Sequence, residues 1–228
     1  MHSLPFVNTY VFDLDDTLYD ESLFVQGGTK AVLEWLALRY DFELYSLQKI
    51  MSSITATFPR DEWYQKLMQK IGIPITQELI GEMVKIYRNH LPHLHLFPDA
   101  VRFLTKLGRK KGVVLAIITD GLVSVQKLKV RSLGLQEIMN LEIFTWSKGI
   151  EYQKPHSWSF KYLEKKTGSS GTECCYFGND PRKDFLAPNR LGWKTVYVHR
   201  YQNKHVSIPT EEHASHIEIR SFDQIDLD

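Results

Sequence analysis

The sequence predicts an α/β fold in which a parallel sheet lies between layers of helices and an all-helical unit is inserted after the first strand. Short apolar segments alternate with amphipathic helical segments along most of the chain. That alternation is typical of a parallel sheet covered on both faces. Roughly a hundred residues separate the first predicted strand from the second, and most of them have helical periodicity.

The predicted strands are short and apolar. The first, at 9–14, ends in an acidic segment that begins at Asp13. The second, at 113–118, is a run of aliphatic residues followed by Thr119. The remaining strands are predicted at 141–144, 174–177, 194–198 and 216–219.

Helical patterns separate these strands. Pro98 and Asp99 suit the first turn of one helix and Pro181 the start of another, because proline is tolerated where no helical N–H bond is needed. Gly134 and Gly168 stand where two patterns stop, as helix-ending glycines do. The helices are predicted at 99–109, 122–132, 157–167 and 181–190.

Helical periodicity also runs through the insertion. Apolar residues recur there at spacings of three and four, which places them on one face of each helix. They are Leu33, Leu36, Ala37 and Tyr40 in one helix, Leu67, Met68 and Ile71 in another, and Leu79, Ile80, Met83, Ile86 and Tyr87 in a third. We therefore predict a core formed by residues 1–19 and 97–228 and a helical insertion at 20–96.

Composition and charge exclude several classes of function. Of the 228 residues, 43% are hydrophobic and 24% are charged, the balance of a soluble globular protein. A net charge of +1 gives no electrostatic reason to expect nucleic acid or an anionic membrane as a partner. The longest aliphatic run is too short to cross a bilayer, and no secretory signal is visible. We therefore expect a cytoplasmic protein.

The two cysteines, Cys174 and Cys175, are adjacent within a predicted strand. Neighbouring strand side chains point to opposite faces, so a disulfide between them would be strained. Two cysteines without a nearby histidine also make a poor zinc site. We expect both to be packing residues.

Polar and charged residues follow the predicted strands at the edge where their carboxyl ends meet. Open parallel sheets bind ligands at this edge. Asp13 and Asp15 end the first strand, and their spacing of two places them on one face of an extended backbone. Carboxylates, a hydroxyl and an ammonium group suit a phosphoryl group and a hard divalent cation such as Mg2+. The further candidates are Thr119, Asp120, Lys154, Asn179, Asp180 and Asp184.

Each of these residues also has a structural interpretation. Thr119 could cap the following helix, which is the commoner role of a single threonine. Asp180 and Asp184 could be first-turn acids favoured by a helix dipole. Lys154 could be a solvated surface lysine. The functional interpretation depends on their joint occurrence at successive strand ends.

These segments resemble the four motifs of the haloacid dehalogenase (HAD) superfamily of phosphotransferases. The first motif is an apolar run followed by Asp-x-Asp-x-Thr, and the resemblance covers nearly the whole chain. It implies a Rossmann-like three-layer core, with the helical insertion as a C1 cap. The matching residues are Asp13, Asp15 and Thr17 for motif I, Thr119 for motif II, Lys154 ahead of Pro155 for motif III, and 179–184 for motif IV.

The resemblance implies a role for each matching residue. Asp13 would be the nucleophile that forms an aspartyl-phosphate, and Asp15 would be the general acid and base. Thr119, Asp120 and Lys154 would hold the phosphate, together with nearby backbone amides.

The resemblance also implies a magnesium site. Asp13, the Asp15 carbonyl and Asp180 would bind Mg2+. Many relatives place an aspartate directly after the motif IV glycine, where this chain has Asn179. Asn179 would then bond nearby or through water, and Asp184 would be an alternative or indirect ligand.

The expected function is that of a Mg2+-dependent phosphatase acting on a small phosphorylated metabolite, either a sugar phosphate or a nucleotide. The segment 118–135 also resembles the branch containing N-acylneuraminate-9-phosphate phosphatase and some nucleotide phosphatases. Three alternatives stay open: a phosphomutase, a 2-haloacid dehalogenase and a non-catalytic binding protein. Dehalogenases of this family lack the carboxylate that Asp15 provides, and a non-catalytic protein would be expected to have lost Asp13, Asp15 or Lys154. We expect a monomer or a homodimer.

Some insertion residues have side chains suited to recognising a leaving group, although a place on the surface or packing within the insertion is the commoner role for each. His90, His93 and His95 lack the i, i+4 spacing of a helical metal site, so we interpret them as part of a solvated linker. The candidates for recognition are Arg60, Trp63, Tyr64 and Arg88.

Overall fold

The computed structural model describes residues 2–4, 6–201 and 207–227. The chain divides into two compact units, Met1–Glu21 with Leu94–Asp228 and Ser22–His93. We call the first the core unit and the second the helical unit. No helix within the described residues is long and apolar enough to span a membrane.

A parallel sheet forms the centre of the core unit. Its strand order is β4-β3-β2-β5-β6-β7, and every neighbouring pair is parallel. A separate short pair, β1 with β8, was not predicted from the sequence. The strands are β1 (His2–Ser3), β2 (Thr9–Phe12), β3 (Val114–Thr119), β4 (Leu141–Phe144), β5 (Cys174–Gly178), β6 (Lys194–Val198), β7 (Ile217–Ile219) and β8 (Ile225–Asp226).

Within the described part of the chain, four α-helices lie in the insertion and four follow it. The first group comprises α1 (Glu21–Tyr40), α2 (Leu44–Thr57), α3 (Trp63–Ile71) and α4 (Gln77–Asn89). The second comprises α5 (Pro98–Gly108), α6 (Val123–Ser132), α7 (Trp158–Thr167) and α8 (Leu186–Arg190). α2 has a distinct start, because the carboxylate of Glu43 accepts the N–H of Ser46 at 3.0 Å and caps the helix.

Alternating side chains of the central strands build an apolar layer on each face of the sheet. On one face, Val11 belongs to a buried cluster that includes Phe160 of α7. On the other, Phe12 and Phe177 stack with their ring centroids 5.0 Å apart, and Phe103 of α5 packs edge-on against both. Helices therefore cover both faces, as the alternation of strands and helices predicted. The thiols of Cys174 and Cys175 are buried and free, as expected.

The first strand of the sheet is shorter than predicted. β2 ends at Phe12, so Asp13 and Asp15 lie in the following loop. Within this loop the carbonyl of Leu14 accepts the N–H of Leu18 at 3.1 Å, which folds the chain into a turn. The argument that placed the two carboxylates on one strand face therefore does not apply.

The last helix is also shorter than predicted, since it begins at Leu186 instead of at Pro181. The N–H groups of Lys183 and Asp184 donate to the Asp180 carbonyl, at 3.1 and 2.9 Å, and close a turn. Pro181 therefore occupies a turn, a role as common for proline as the first position of a helix.

The helical unit has its own core and a close internal contact. A methyl group at Gly28 of α1 would lie 2.6 Å from the ring of Tyr87, so these two positions approach too closely for a larger residue. Apolar residues selected by their spacing are buried, among them Leu33, Leu36, Leu67, Met68, Leu79 and Met83.

One histidine of the predicted linker is not solvated. His90 is buried, and its Nδ1 lies 2.7 Å from the Tyr87 carbonyl. The expectation of a solvated linker was wrong for this residue, because the ring packs against Phe24. His93 and His95 are exposed.

Candidate active site

Asp13 stands at the carboxyl end of the central strand and is almost completely buried. Its backbone N–H donates to the Phe177 carbonyl at 2.8 Å, which fixes the residue against β5. Its carboxylate is 3% exposed. One oxygen, Oδ1, accepts a bond of 2.6 Å from the ammonium group of Lys154. Among the residues that the structure describes, the other oxygen, Oδ2, has one long contact, 3.5 Å from the hydroxyl of Thr17.

Lys154 links three buried side chains. Besides Asp13, its Nζ donates to Asp184 Oδ1 at 2.7 Å and to the hydroxyl of Tyr176 at 2.9 Å. The ammonium group itself is fully buried, and such a charge is tolerated only when it is paired and hydrogen-bonded. The expectation of a solvated lysine is thereby excluded.

Two carboxylates share this single ammonium group, and the pKa values of Asp13 and Lys154 are both shifted. Burial raises the pKa of Asp13 to about 6, and the negative charge of Asp184 adds to the rise, while Lys154 opposes it. Burial would lower the pKa of Lys154, but the Asp13 and Asp184 carboxylates outweigh it and raise that pKa well above its usual value. The charge of Lys183 also acts on Asp13 and lowers its pKa, so Lys154 is not the sole cation near this carboxylate.

The loop after β5 is built around Asp184. Its Oδ2 accepts the backbone N–H groups of Asn179 and Asp180, at 3.0 and 2.9 Å. A methyl group at Gly178 would lie 2.6 Å from the same carboxylate, which explains why the strand ends in glycine. Asp184 therefore both closes the loop and pairs with Lys154.

Asp180, the predicted metal ligand, has a different partner. Its carboxylate accepts two bonds from Arg182, from Nε at 2.8 Å and from Nη2 at 2.7 Å. Burial would raise the pKa of Asp180, but these bonds hold it below its usual value. The described contacts thus bring Asp184, and not Asp180, to Lys154 and Asp13.

Asp15 is paired with a different lysine, Lys129. Its Oδ1 accepts bonds from Lys129 Nζ at 2.7 Å and from the Tyr19 hydroxyl at 2.5 Å, and Oδ2 accepts one from Gln126 Nε2 at 3.0 Å. Burial would raise the pKa of Asp15, but the charge of Lys129 and these bonds bring it below its usual value. The ionised form is therefore favoured.

The end of β3 connects the two carboxylate centres. Gln126 donates to the hydroxyl of Thr119 at 2.6 Å as well as to Asp15. The carboxylate of Asp120 accepts the Thr145 hydroxyl at 2.8 Å and the backbone N–H of Lys154 at 3.1 Å. Asp120 thus orients the segment that carries the buried lysine.

Several residues of this site were missed from the sequence. Gln126 and Lys129 are three apart on α6, and a spacing of three places them on one face of the helix. That spacing, one helix after Thr119, was the available signal. Tyr19 and Tyr176 gave no such signal, because a tyrosine in or near a buried strand is an ordinary core residue.

The oxygen donors of this site fit Mg2+. Among the described residues no group of three or more His, Cys, Asp or Glu side chains is arranged to hold a metal. Mg2+ does not need one, because it usually keeps several waters and binds one or two carboxylates together with a substrate phosphate. Asp13 Oδ2, whose one contact among the described residues is long, is a suitable donor.

The chain is similar to known proteins in sequence and in fold. The chain is 29% identical over 194 residues to a glyceraldehyde 3-phosphate phosphatase of Methanocaldococcus jannaschii, covering 82% of this chain and 83% of that protein. It is 27% identical to a ribulose-1,5-bisphosphate 5-phosphatase of Halopiger xanaduensis, covering 82% of each. The structure of the HAD-type protein YfnB of Bacillus subtilis, solved with magnesium, has a TM-score of 0.64 at 18% identity and covers 95% of this chain and 96% of its own.

These matches confirm the predicted fold class and the predicted superfamily. The resemblance to the N-acylneuraminate-9-phosphate phosphatase branch stays a prediction. Residues 10–198 match the family model of haloacid dehalogenase-like hydrolases, and the chain belongs to that family.

Proposed function

We propose that this protein is a Mg2+-dependent phosphatase that hydrolyses a small sugar phosphate through an aspartyl-phosphate. The observation that carries the proposal is the buried Asp13 carboxylate, held 2.6 Å from Lys154 with its second oxygen nearly unbonded. A second carboxylate, Asp15, stands two residues away with a separate set of donors. The phosphatase activity of the relatives, which match about four-fifths of the chain, supports the same class of reaction.

In the first step, Oδ2 of Asp13 attacks phosphorus. A P–O bond to Asp13 forms while the P–O bond to the leaving group breaks, and Asp15 gives its proton to the departing oxygen. In the second step, Asp15 removes a proton from water, which attacks phosphorus and releases Asp13. The network around Asp15 favours its ionised form, which the second step requires, so the first step proceeds from the less populated protonated form of Asp15.

The main barrier is the repulsion between an anionic nucleophile and an anionic phosphoryl group. Two unit charges 4 Å apart repel by about 1 kcal/mol in water and about 4 kcal/mol near a protein surface. Lys154 offsets part of this repulsion, although Asp184 shares its charge. Mg2+, held by Asp13, the Asp15 carbonyl and an acid of the 179–184 loop, would supply the remaining positive charge.

We further propose that the helical unit is a C1 cap that selects the substrate. Trp63 Nε1 donates to the Phe58 carbonyl at 2.9 Å, and Arg60 donates to the Tyr87 hydroxyl. Tyr64 packs edge-on against the same Tyr87 ring. These bonds engage Trp63 and Arg60 within the unit and leave the exposed Arg88 as the charged candidate for a substrate phosphate or carboxylate.

The proposal is tested by phosphate release from a panel of sugar phosphates, nucleotides and p-nitrophenyl phosphate. We expect turnover with Mg2+, loss of turnover with EDTA, and a loss of at least about a thousandfold in Asp13→Asn, because the nucleophile is gone. Absence of phosphate release from every ester in the presence of Mg2+ would overturn the proposal. Parallel assays of sugar-phosphate isomerisation and of chloride release from 2-chloropropionate would then identify a mutase or a dehalogenase.

A further inference from the structure

Helix α6 buries two polar side chains that the proposed reaction has not yet used. Lys129 has a side chain that is 5% exposed, and Gln126 is 2% exposed. Burying an ammonium group and an amide is unfavourable unless both find partners. Their neighbour Lys127, by contrast, is exposed.

Both buried side chains reach Asp15. Lys129 bonds to one carboxylate oxygen at 2.7 Å and Gln126 to the other at 3.0 Å, so the plane of the carboxylate is fixed from both sides. Tyr19 adds a third donor at 2.5 Å. Gln126 also bonds to Thr119 at 2.6 Å, which ties the orientation of Asp15 to the end of β3.

We propose that Gln126 and Lys129 are positioning residues that hold the Asp15 carboxylate in the orientation from which it transfers a proton to the leaving group. The inference rests on the proposed phosphatase function and adds two residues to it. Fixing a proton donor within a narrow range of orientations is worth much of the rate that general acid catalysis supplies.

The dependence of rate on the leaving group distinguishes this role from a structural one. p-Nitrophenolate departs without protonation, whereas the alkoxide of a sugar phosphate needs a proton. The value of kcat/KM includes the steps up to transfer of the phosphoryl group to Asp13. A poorly oriented Asp15 should therefore lower kcat/KM for an alkyl phosphate far more than for p-nitrophenyl phosphate.

The test compares Lys129→Met, Gln126→Leu and the conservative Tyr19→Phe with the control Lys127→Met, which removes a lysine from the same helix. We expect Lys129→Met and Gln126→Leu to lose at least about tenfold more kcat/KM on glycerol 3-phosphate than on p-nitrophenyl phosphate. Lys129→Arg should recover part of the loss, and Lys127→Met should keep the wild-type ratio. Tyr19→Phe changes little volume and should shift the ratio in the same direction. It therefore provides the test if the larger changes prevent folding.

A double-mutant cycle locates the effect. If Lys129 acts through Asp15, Lys129→Met should not change the ratio further in an Asp15→Asn background. Equal losses on both esters, or additive effects in the cycle, would overturn the inference while leaving the phosphatase proposal intact. If the wild-type protein hydrolysed neither ester, the phosphatase proposal would be overturned, and this inference with it.

Discussion

At Asp13, burial of the carboxylate raises the pKa to about 6, and the negative charge of Asp184 adds to the rise while Lys154 and Lys183 oppose it. An acid whose pKa is higher in the folded state than in the unfolded state binds more protons when folded. Stability therefore falls as the pH rises through the interval between the two values, from about 4 to about 6. Above that interval the Asp13 carboxylate is ionised in the folded protein, which destabilises the fold but provides the nucleophile of the proposed reaction.

Asp13→Asn should therefore be more stable than the wild type at neutral pH without divalent cations. We expect a gain on the order of 1–3 kcal/mol in the free energy of unfolding, which disappears below about pH 4. Denaturant unfolding at several pH values in EDTA measures it. Asp180→Asn is the control, because the pKa of Asp180 is lowered and its removal should bring no gain. A destabilised Asp13→Asn at pH 7 would contradict this account.

The residues of the site could be predicted from the sequence only where they follow strands. Asp13, Thr119 and Lys154 lie where the rule of strand ends places them, and Lys154 contacts Asp13 directly. Gln126 and Lys129 could not be placed in this way, because they act from a helix. Which face of a helix meets the site depends on its rotation about its own axis, which packing decides.

Among the helices, α1 contains two adjacent glycines, which are unfavourable in a helix interior by about 0.5–1 kcal/mol each relative to alanine. Close approach explains them. At Gly28 an added methyl group would meet the Tyr87 ring at 2.6 Å, and at Gly27 it would meet the His90 ring at 2.8 Å. The glycines therefore permit contact between α1 and the end of α4.

Gly28→Ala should lower the free energy of unfolding by about 1–3 kcal/mol, because the ring contact outweighs the better helix propensity. Gly81→Ala in α4 is the matched control. No atom lies within 4 Å of its added methyl group, so it should raise stability by about 0.5–1 kcal/mol. Thermal or urea unfolding of both variants gives the comparison, and a stabilised Gly28→Ala would show that the contact is not restrictive.

Most elements were predictable from periodicity, and their ends were less so. The strands at 141–144 and 194–198 match the structure residue for residue. The prediction that a helix begins at residue 181 was wrong, because the carboxylate of Asp184 accepts two backbone N–H groups and stabilises a turn there. The β1–β8 pair was not foreseen, since two-residue strands carry no periodicity.

For the molecule as a whole, the two chain crossings between the units differ. Near the first, Tyr19 is fully buried and forms a backbone bridge with Leu96. In the second, residues 91–95 have no regular secondary structure, and Leu91 is 84% exposed. Exposed irregular segments are preferred sites of proteolysis.

Pro92 protects the bond after Leu91 from chymotrypsin, so limited digestion should cut early after Leu94 in the same segment and leave the crossing at 19–21 intact. Mass spectrometry would identify fragments that end and begin at this bond. Leu94→Ser removes the cleavage site and should delay the cut with little change in the unfolding midpoint, because Leu94 is only half-buried. Earlier cleavage after Tyr19 would contradict the conclusion that the crossing at 19–21 is held in place by buried contacts.

The order of strands in the sheet has a consequence for biosynthesis. β2 is translated first among the six, yet it needs β3 on one side and β5 on the other. The ribosome makes the second of these partners only after residue 174, so the central strand emerges long before its neighbours exist. The local contacts of α1 to α4 need no such delay, since domains rich in nearby contacts fold fastest. We therefore expect the inserted helices to fold on the nascent chain before β2, which precedes them, has paired with β3 and β5.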